Sequence, residues 1–218
     1  MGKVTKVHKN KSGVIKQESL VGTLKEVERI LRFANKLIPN NDGSHIELVP
    51  HISSTKASCY GWFSENSWST REGELKSEIA IPPEHLDRSP EEITETLIHE
   101  TAHAWNSARG IKDCSSNQYH NKKFKETAES LGLVTEKTKL GYSLTNLSEP
   151  LRKKINTQLK PDTAKFNLFK LKRDKDKNPP SKRLVWICEC GIKISLARGK
   201  VLDATCNVCN TKFQLEVK

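Results

Sequence analysis

No stretch of this 218-residue sequence approaches the roughly 18 consecutive apolar residues of a membrane-spanning helix, so no membrane span is expected. The N-terminal stretch MGKVTKVHKNKSGVIKQES is positively charged, but no hydrophobic segment follows it. It therefore does not read as a secretory signal, and a soluble, cytoplasmic protein is expected. Apolar residues are sparse, at 35% hydrophobic against 29% charged, although enough Leu, Ile, Val and Trp remain to form a core. No internal repeat is visible. A disulfide framework is absent as well. Of the six Cys, four fall in the last 31 residues, and in an unexported chain paired thiols at close spacing read as metal ligands.

The length suits one core of about 150 residues with a small appended module. The net charge of +11 is concentrated in two places. Residues 1 to 17 hold five Lys and no acid, and residues 160 to 183 hold nine Lys or Arg against three Asp, which together account for the whole excess. Basic segments flanking a balanced body point to a polyanion, nucleic acid foremost, because neutralising phosphate requires charge but no fixed geometry. Solubilising tails are the alternative reading.

Thr23 and Glu26 form the pattern of a capping box, followed by Leu24, Val27, Leu31, Ala34 and Ile38 at helical spacing up to Pro39. Short segments near 45 to 52, 58 to 63 and 75 to 81 read as three strands of a small antiparallel or mixed sheet. Ser89, Pro90 and Glu92 then supply a cap, a first-turn proline and a capping-box acid. The helix they open closes at Gly110, with Ile93, Leu97, Ala104, Trp105 and Ala108 directed inward. Further helices are expected from about Asn121 to Leu131, ending at Gly132, and from Glu149 to Leu159. The prolines and charges of residues 160 to 183 have linker composition.

The long helix contains His99-Glu100-Thr101-Ala102-His103. Two His four residues apart project from one face and can reach a single metal ion, while Glu100 stands beside that ion as a proton acceptor and donor. A catalytic zinc commonly keeps three protein ligands and one open position. His120 is the best third candidate, with His85 and His51 as runners-up and Glu126 or Glu129 as carboxylate alternatives. In the C-terminal segment, Cys188 and Cys190 stand 15 residues before Cys206 and Cys209, a spacing that fits a structural zinc held by four thiolates. The first pair is CxC where CxxC is more usual. So small a module depends on its metal to fold. Lys193, Arg198 and Lys200 with Trp186 and Phe213 could meet phosphates and bases, or the two aromatics could form the minimal core of the module. Cys59 and Cys114 read as a core residue and a loop thiol.

Taken together, the leading helix, the strand segment SEIAIPPEHL, EEITETLIHETAHAWN and QYHNKKFKETAESLGL resemble the SprT-like (Spartan-like) zinc metallopeptidases over about Leu20 to Leu133. Asn121 departs from the Gly common after the third His of that family. The resemblance implies an α+β fold: a small zincin-like domain of helices on a short three-stranded sheet, followed by a β-rich zinc ribbon. It implies His99, His103 and His120 as ligands of a catalytic zinc, Glu100 as the base, and cleavage of proteins associated with DNA. The expected boundaries are a basic tail over 1–19, the peptidase domain over 20–159, a basic linker over 160–183 and the ribbon over 184–218. A non-catalytic DNA-binding adaptor and a zinc hydrolase of non-peptide amides are the competing readings.

Overall fold

Val27, Ile30, Leu31 and Ala34 recur at helical spacing and bury their side chains along one face of helix α1, Val21–Asn35. In this computed structural model the described residues are 19–39, 46–54, 58–171, 183–197 and 200–216. The expected basic tail up to residue 18 and residues 172–182 of the expected linker lie outside them. The chain divides into two compact units, one ending at Lys170 and the other starting at Leu171. Among the described residues, no helix is long and apolar enough to cross a membrane.

The expected capping box at Thr23 and Glu26 is not used, because α1 begins at Val21 and both side chains are buried. They bind a distant segment instead. The Thr23 hydroxyl donates to the Lys165 carbonyl (2.6 Å), and the Glu26 carboxylate accepts the Asp162 N–H (2.8 Å) and the Arg29 guanidinium. Leu24, expected inward, is exposed, and Ile30 takes the core position in its place.

Strands β1 (Leu48–Ile52), β2 (Trp62–Ser69) and β3 (Leu75–Ile81) form a mixed sheet in the order β1-β3-β2. β1 is parallel to β3 and β2 is antiparallel to it. Pro50 is tolerated because β1 is an edge. β2 lies later than the expected 58 to 63. Its polar run Ser64–Ser67 shows no apolar alternation, and a bulge there lets it pair with β3 all the same.

Helix α2 (Pro90–Ala108) begins with a complete capping box: Ser89 Oγ accepts the Glu92 N–H (3.2 Å) and Glu92 Oε2 accepts the Ser89 N–H (2.8 Å). Gly110, at φ +66°, follows its end. Ile93, Leu97, Ile98, Ala102 and Ala104 are buried, and α2 packs on α1 and the sheet. Ala108, expected to face the core, is exposed. Helix α3 (Lys122–Ser130) is capped by Asn121, whose Oδ1 accepts from Lys123 N and Phe124 N.

An antiparallel hairpin follows, β4 (Leu133–Thr138) and β5 (Gly141–Leu147), which the sequence pattern did not reveal. Its aliphatic residues Val134, Leu140 and Leu144 are largely exposed, so no buried-face alternation announces it. Helix α4 (Glu149–Lys154) continues into a turn of π-helix over Ile155–Leu159, which accounts for the helix expected up to Leu159.

The expected linker boundary at 160 is corrected by the packing of residues 160–170. Thr163–Phe166 forms a 3-10 turn, Phe166 is buried in the main core, and Lys170 N donates to the Pro83 carbonyl (3.0 Å). One aromatic anchor and the buried polar groups of α1 outweigh a composition that reads as linker. In the second unit β6 (Leu184–Ile187), β7 (Lys193–Leu196) and β8 (Gln214–Leu215) pair in the order β7-β6-β8. The architecture is α+β throughout the first unit, with a small all-β second unit.

Phe166→Ala is expected to destabilise the first unit by about 3 kcal/mol, the usual cost of emptying a buried aromatic site. Urea unfolding of the full chain checks this. An unchanged midpoint would return residues 160–170 to the status of linker.

Candidate metal centre

His99 and His103 lie one turn apart on α2, with ring centroids 5.2 Å apart. His120 comes from the connection between α2 and α3, and its placement is tightly held. Its N–H donates to the Leu140 carbonyl (2.9 Å), its carbonyl accepts the Tyr142 N–H (3.0 Å), and it bridges to Cys114. Gly141, at φ +73°, is required here, since a Cβ at that position would run into the His120 carbonyl. The connection is thus clamped by the hairpin that went unread in the sequence.

The three rings converge through Nε2. His120 Nε2 lies 3.3 Å from His99 Nε2 and 3.1 Å from His103 Nε2. Tetrahedral coordination at the usual zinc–nitrogen distance places two nitrogens about 3.3 Å apart. The opposite ring nitrogens meet oxygen: His103 Nδ1 lies 2.9 Å from Asp113 Oδ2, His120 Nδ1 lies 2.9 Å from the Gln118 carbonyl, and His99 Nδ1 lies 3.3 Å from Thr145 Oγ1. A carboxylate and a carbonyl can only accept, so at least two rings carry their proton on Nδ1 and turn a bare Nε2 lone pair toward the common point. Lone pairs gathered at this distance repel, and a cation among them removes the repulsion. The residues therefore fit a metal ion, zinc in particular, and the ligand atoms of all three lie within 4.8 Å of one another.

The electrostatics agree. Burial, then the neighbouring His103 and His120, hold His99 well below the usual histidine range. Burial also lowers His120, with His103 adding to the effect. For His103 burial opposes charge, yet the Asp113 hydrogen bond and the charges of Glu100 and Asp113 outweigh it and raise its pKa. A dication at the common point would take the place of that proton.

A supporting shell surrounds these rings. Asp113 Oδ2 also accepts from Asn106 Nδ2 (2.8 Å), and Asn106 Oδ1 accepts from Thr127 Oγ1 (2.7 Å) and Arg109 Nη2 (2.7 Å). Phe124, fully buried, has its ring centroid 4.5–4.6 Å from all three imidazoles and excludes water beneath them. Only the helical phase of Phe124 was readable beforehand; Asp113, Asn106 and Thr145 carried no local signal.

The family described as SprT-like matches the chain over residues 27–145. The chain belongs to the SprT-like family. No curated protein and no solved structure matches it. The matched span of this SprT-like chain takes in α1 from Val27 onward, the sheet, all three histidines and the hairpin as far as Thr145.

The other third-ligand candidates of this SprT-like domain lie elsewhere. His51 contacts Glu78 (3.4 Å) and the Trp68 ring, and His85 packs against Tyr60. Glu126 and Glu129 are exposed on α3, Glu129 accepting from Thr135. Glu100 is buried beside Gly61, where an added Cβ would come within 3.4 Å of Glu100 Cγ and 2.8 Å of Thr96 Cγ2. The three histidines and Glu100 border a cleft of about 1080 Å³ whose walls include Gly61, Trp62, Glu95, Leu140 and Leu144. Cys59 and Cys114 also line it, so neither is simply a core residue or a remote loop thiol.

In the second unit, Cys188, Cys190, Cys206 and Cys209 bring their sulfurs within 4.8 Å of one another. Cys188 Sγ lies 3.2 Å from Cys190 Sγ, and Cys190 Sγ lies 3.7 Å from Cys206 Sγ. Thiolates at the usual zinc–sulfur distance stand about 3.8 Å apart in a tetrahedron, so this group also fits zinc. The Thr211 hydroxyl draws Cys209 down to about 6, while Cys188 and its neighbours push Cys190 up to about 12. Four thiols in competition for charge are what a dication neutralises. Phe213 is buried and Trp186 packs against the same cysteines, which makes both part of the minimal core; Arg198 lies outside the described residues.

Gly141→Ala is expected to displace the His120 main chain and weaken metal binding at the histidine site about tenfold or more, the usual scale for losing support around a ligand. Chelator competition on the full chain reads this out. Retained affinity would mean that the hairpin does not hold His120.

Proposed function

We propose that this chain is a zinc-dependent endopeptidase of zincin-like fold, and that His99, His103 and His120 hold its catalytic zinc. The observation that carries the reading is the convergence of three histidine Nε2 atoms on a cleft that Glu100 also lines. Zinc, when bound, supplies a Lewis acid for the scissile carbonyl and lowers the pKa of a coordinated water toward neutrality. Glu100 does the proton work. Its carboxylate takes a proton from the attacking water as the new C–O bond forms and then delivers it to the leaving amine nitrogen, on which the peptide C–N bond breaks. Phe124 and the buried shell keep bulk water away from the ligand rings. Cys188, Cys190, Cys206 and Cys209 hold a second, structural zinc.

The substrates we assign are proteins associated with DNA, and the chain would accordingly act in the DNA-associated part of the cytoplasm. Within the expected linker, Lys165 and Lys170 sit on the first unit near Asp162 and Glu84, which partly neutralise them. The rest of the basic excess in that stretch is carried by residues 172–183, which hold six Lys or Arg against two Asp. A sequence of this charge attracts phosphate through counterion release and requires no fixed geometry to do so.

Glu100→Gln is expected to abolish peptide hydrolysis while both zinc ions are retained, and His120→Ala to lose activity together with one of about two zincs per chain. Hydrolysis of a denatured protein substrate, paired with elemental analysis, separates the two variants. Near-normal turnover by the Glu100→Gln chain would sink the mechanism, and no turnover by the unmodified chain would favour an adaptor role. Removing residues 171–218 is expected to weaken DNA binding and flatten its salt dependence, and an unchanged salt slope would withdraw the nucleic-acid assignment.

A further inference from the structure

His99 differs from the other two histidines in what its Nδ1 faces. His103 has a carboxylate and His120 a main-chain carbonyl, each an obligatory acceptor, whereas His99 has the Thr145 hydroxyl. A hydroxyl is ambivalent, with one proton to give and two lone pairs to offer. If Thr145 donated to Nδ1, the neutral His99 ring would carry its proton on Nε2 and have no lone pair for a metal. If Thr145 accepts, the proton is on Nδ1 and Nε2 is free to bind.

What decides between these states is the destination of the hydroxyl proton. Thr145 Oγ1 donates to Glu95 Oε1 at 3.0 Å. Glu95 stands one turn before His99 on α2, and Thr145 is buried on β5. Burial raises the Glu95 pKa, while the Thr145 bond and the positive charges of Arg88 and Arg152 work the other way. Glu92, on the same helix, is occupied in the capping box with Ser89.

We propose that Glu95 is a positioning residue of the metal centre. By taking the Thr145 proton it obliges that hydroxyl to accept from His99 Nδ1–H, and so turns the His99 Nε2 lone pair toward the ion. The same bond ties β5 to α2. The hairpin that clamps His120 is thereby joined to the helix that carries the other two histidines, and one contact sets both a tautomer and a distance. The inference rests on reading the three histidines as a metal site and is independent of peptide hydrolysis.

The test uses four variants of the full chain. Glu95→Leu removes the acceptor at similar size, Glu95→Gln keeps an acceptor without the charge, Thr145→Val removes the hydroxyl, and Thr145→Ser keeps it. Two readouts apply: zinc affinity of the histidine site by chelator competition, with the cysteine-bound zinc as internal reference, and the His99 tautomer by ring-nitrogen NMR of the histidine site freed of metal. Glu95→Leu and Thr145→Val are expected to weaken zinc about tenfold or more, with the Glu95→Gln and Thr145→Ser chains within about threefold of the unmodified protein. Glu95→Leu should also populate the Nε2–H form of His99. A Glu95→Leu chain that keeps full affinity and a pure Nδ1–H tautomer would overturn the proposal, as would Glu95→Gln falling as far as Glu95→Leu. Failure of the unmodified chain to cleave protein would sink the peptidase reading and leave this one standing.

Discussion

Three imidazole nitrogens converge, with His120 Nε2 3.1–3.3 Å from the other two, and much of the first unit serves to hold them there. Neutral rings do not gather in this way unaided, because desolvation and lone-pair repulsion both oppose it. The fold meets that cost by giving each Nδ1 an oxygen partner: Asp113 and Gln118 in the α2–α3 connection, and Thr145 on β5. The rings are thus restrained before any ion arrives, which is how protein metal sites gain affinity and select a geometry.

The surrounding architecture follows from this restraint. α2 is anchored by its capping box and by a continuous apolar stripe, so the two His it carries are rigid. α3 inserts Phe124 under all three rings, and its Thr127 joins the Asn106–Asp113 network behind His103. The hairpin then closes on His120 at Gly141. On the opposite wall, Gly61 brings the backbone preceding β2 against α2, where a Cβ would meet Thr96 Cγ2 at 2.8 Å and Glu100 Cγ at 3.4 Å. The open side between these walls is the cleft.

The second unit poses a different problem, and its four cysteines fit the same kind of ion. Its buried residues, among those described, are two cysteines and one phenylalanine, too little apolar area to fold by burial alone. A metal ion held by its four thiols would supply part of its stability, whereas the first unit has a full hydrophobic core of its own.

Local chemistry was legible in the sequence where a residue acts through its near neighbours. The Ser89-to-Glu92 capping box, the one-turn spacing of His99 and His103 with Glu100 between them, the Asn121 cap and the paired cysteines depend on separations of a few residues, and spacing encodes those directly. Where side chains served partners far along the chain, the same reading failed. Thr23 and Glu26 look like a cap and instead hold residues 162 and 165, and Phe166 turns an apparent linker into part of the core. The β4–β5 hairpin has no inward apolar alternation. Asp113, Thr145 and Glu95 look like ordinary polar residues until the folded chain brings them to the histidines. The sequence by itself thus determined which side chains could bind a metal and move a proton. Only the tertiary structure decided which ring nitrogens face one another, because that depends on contacts between residues as far apart as His99 and Thr145.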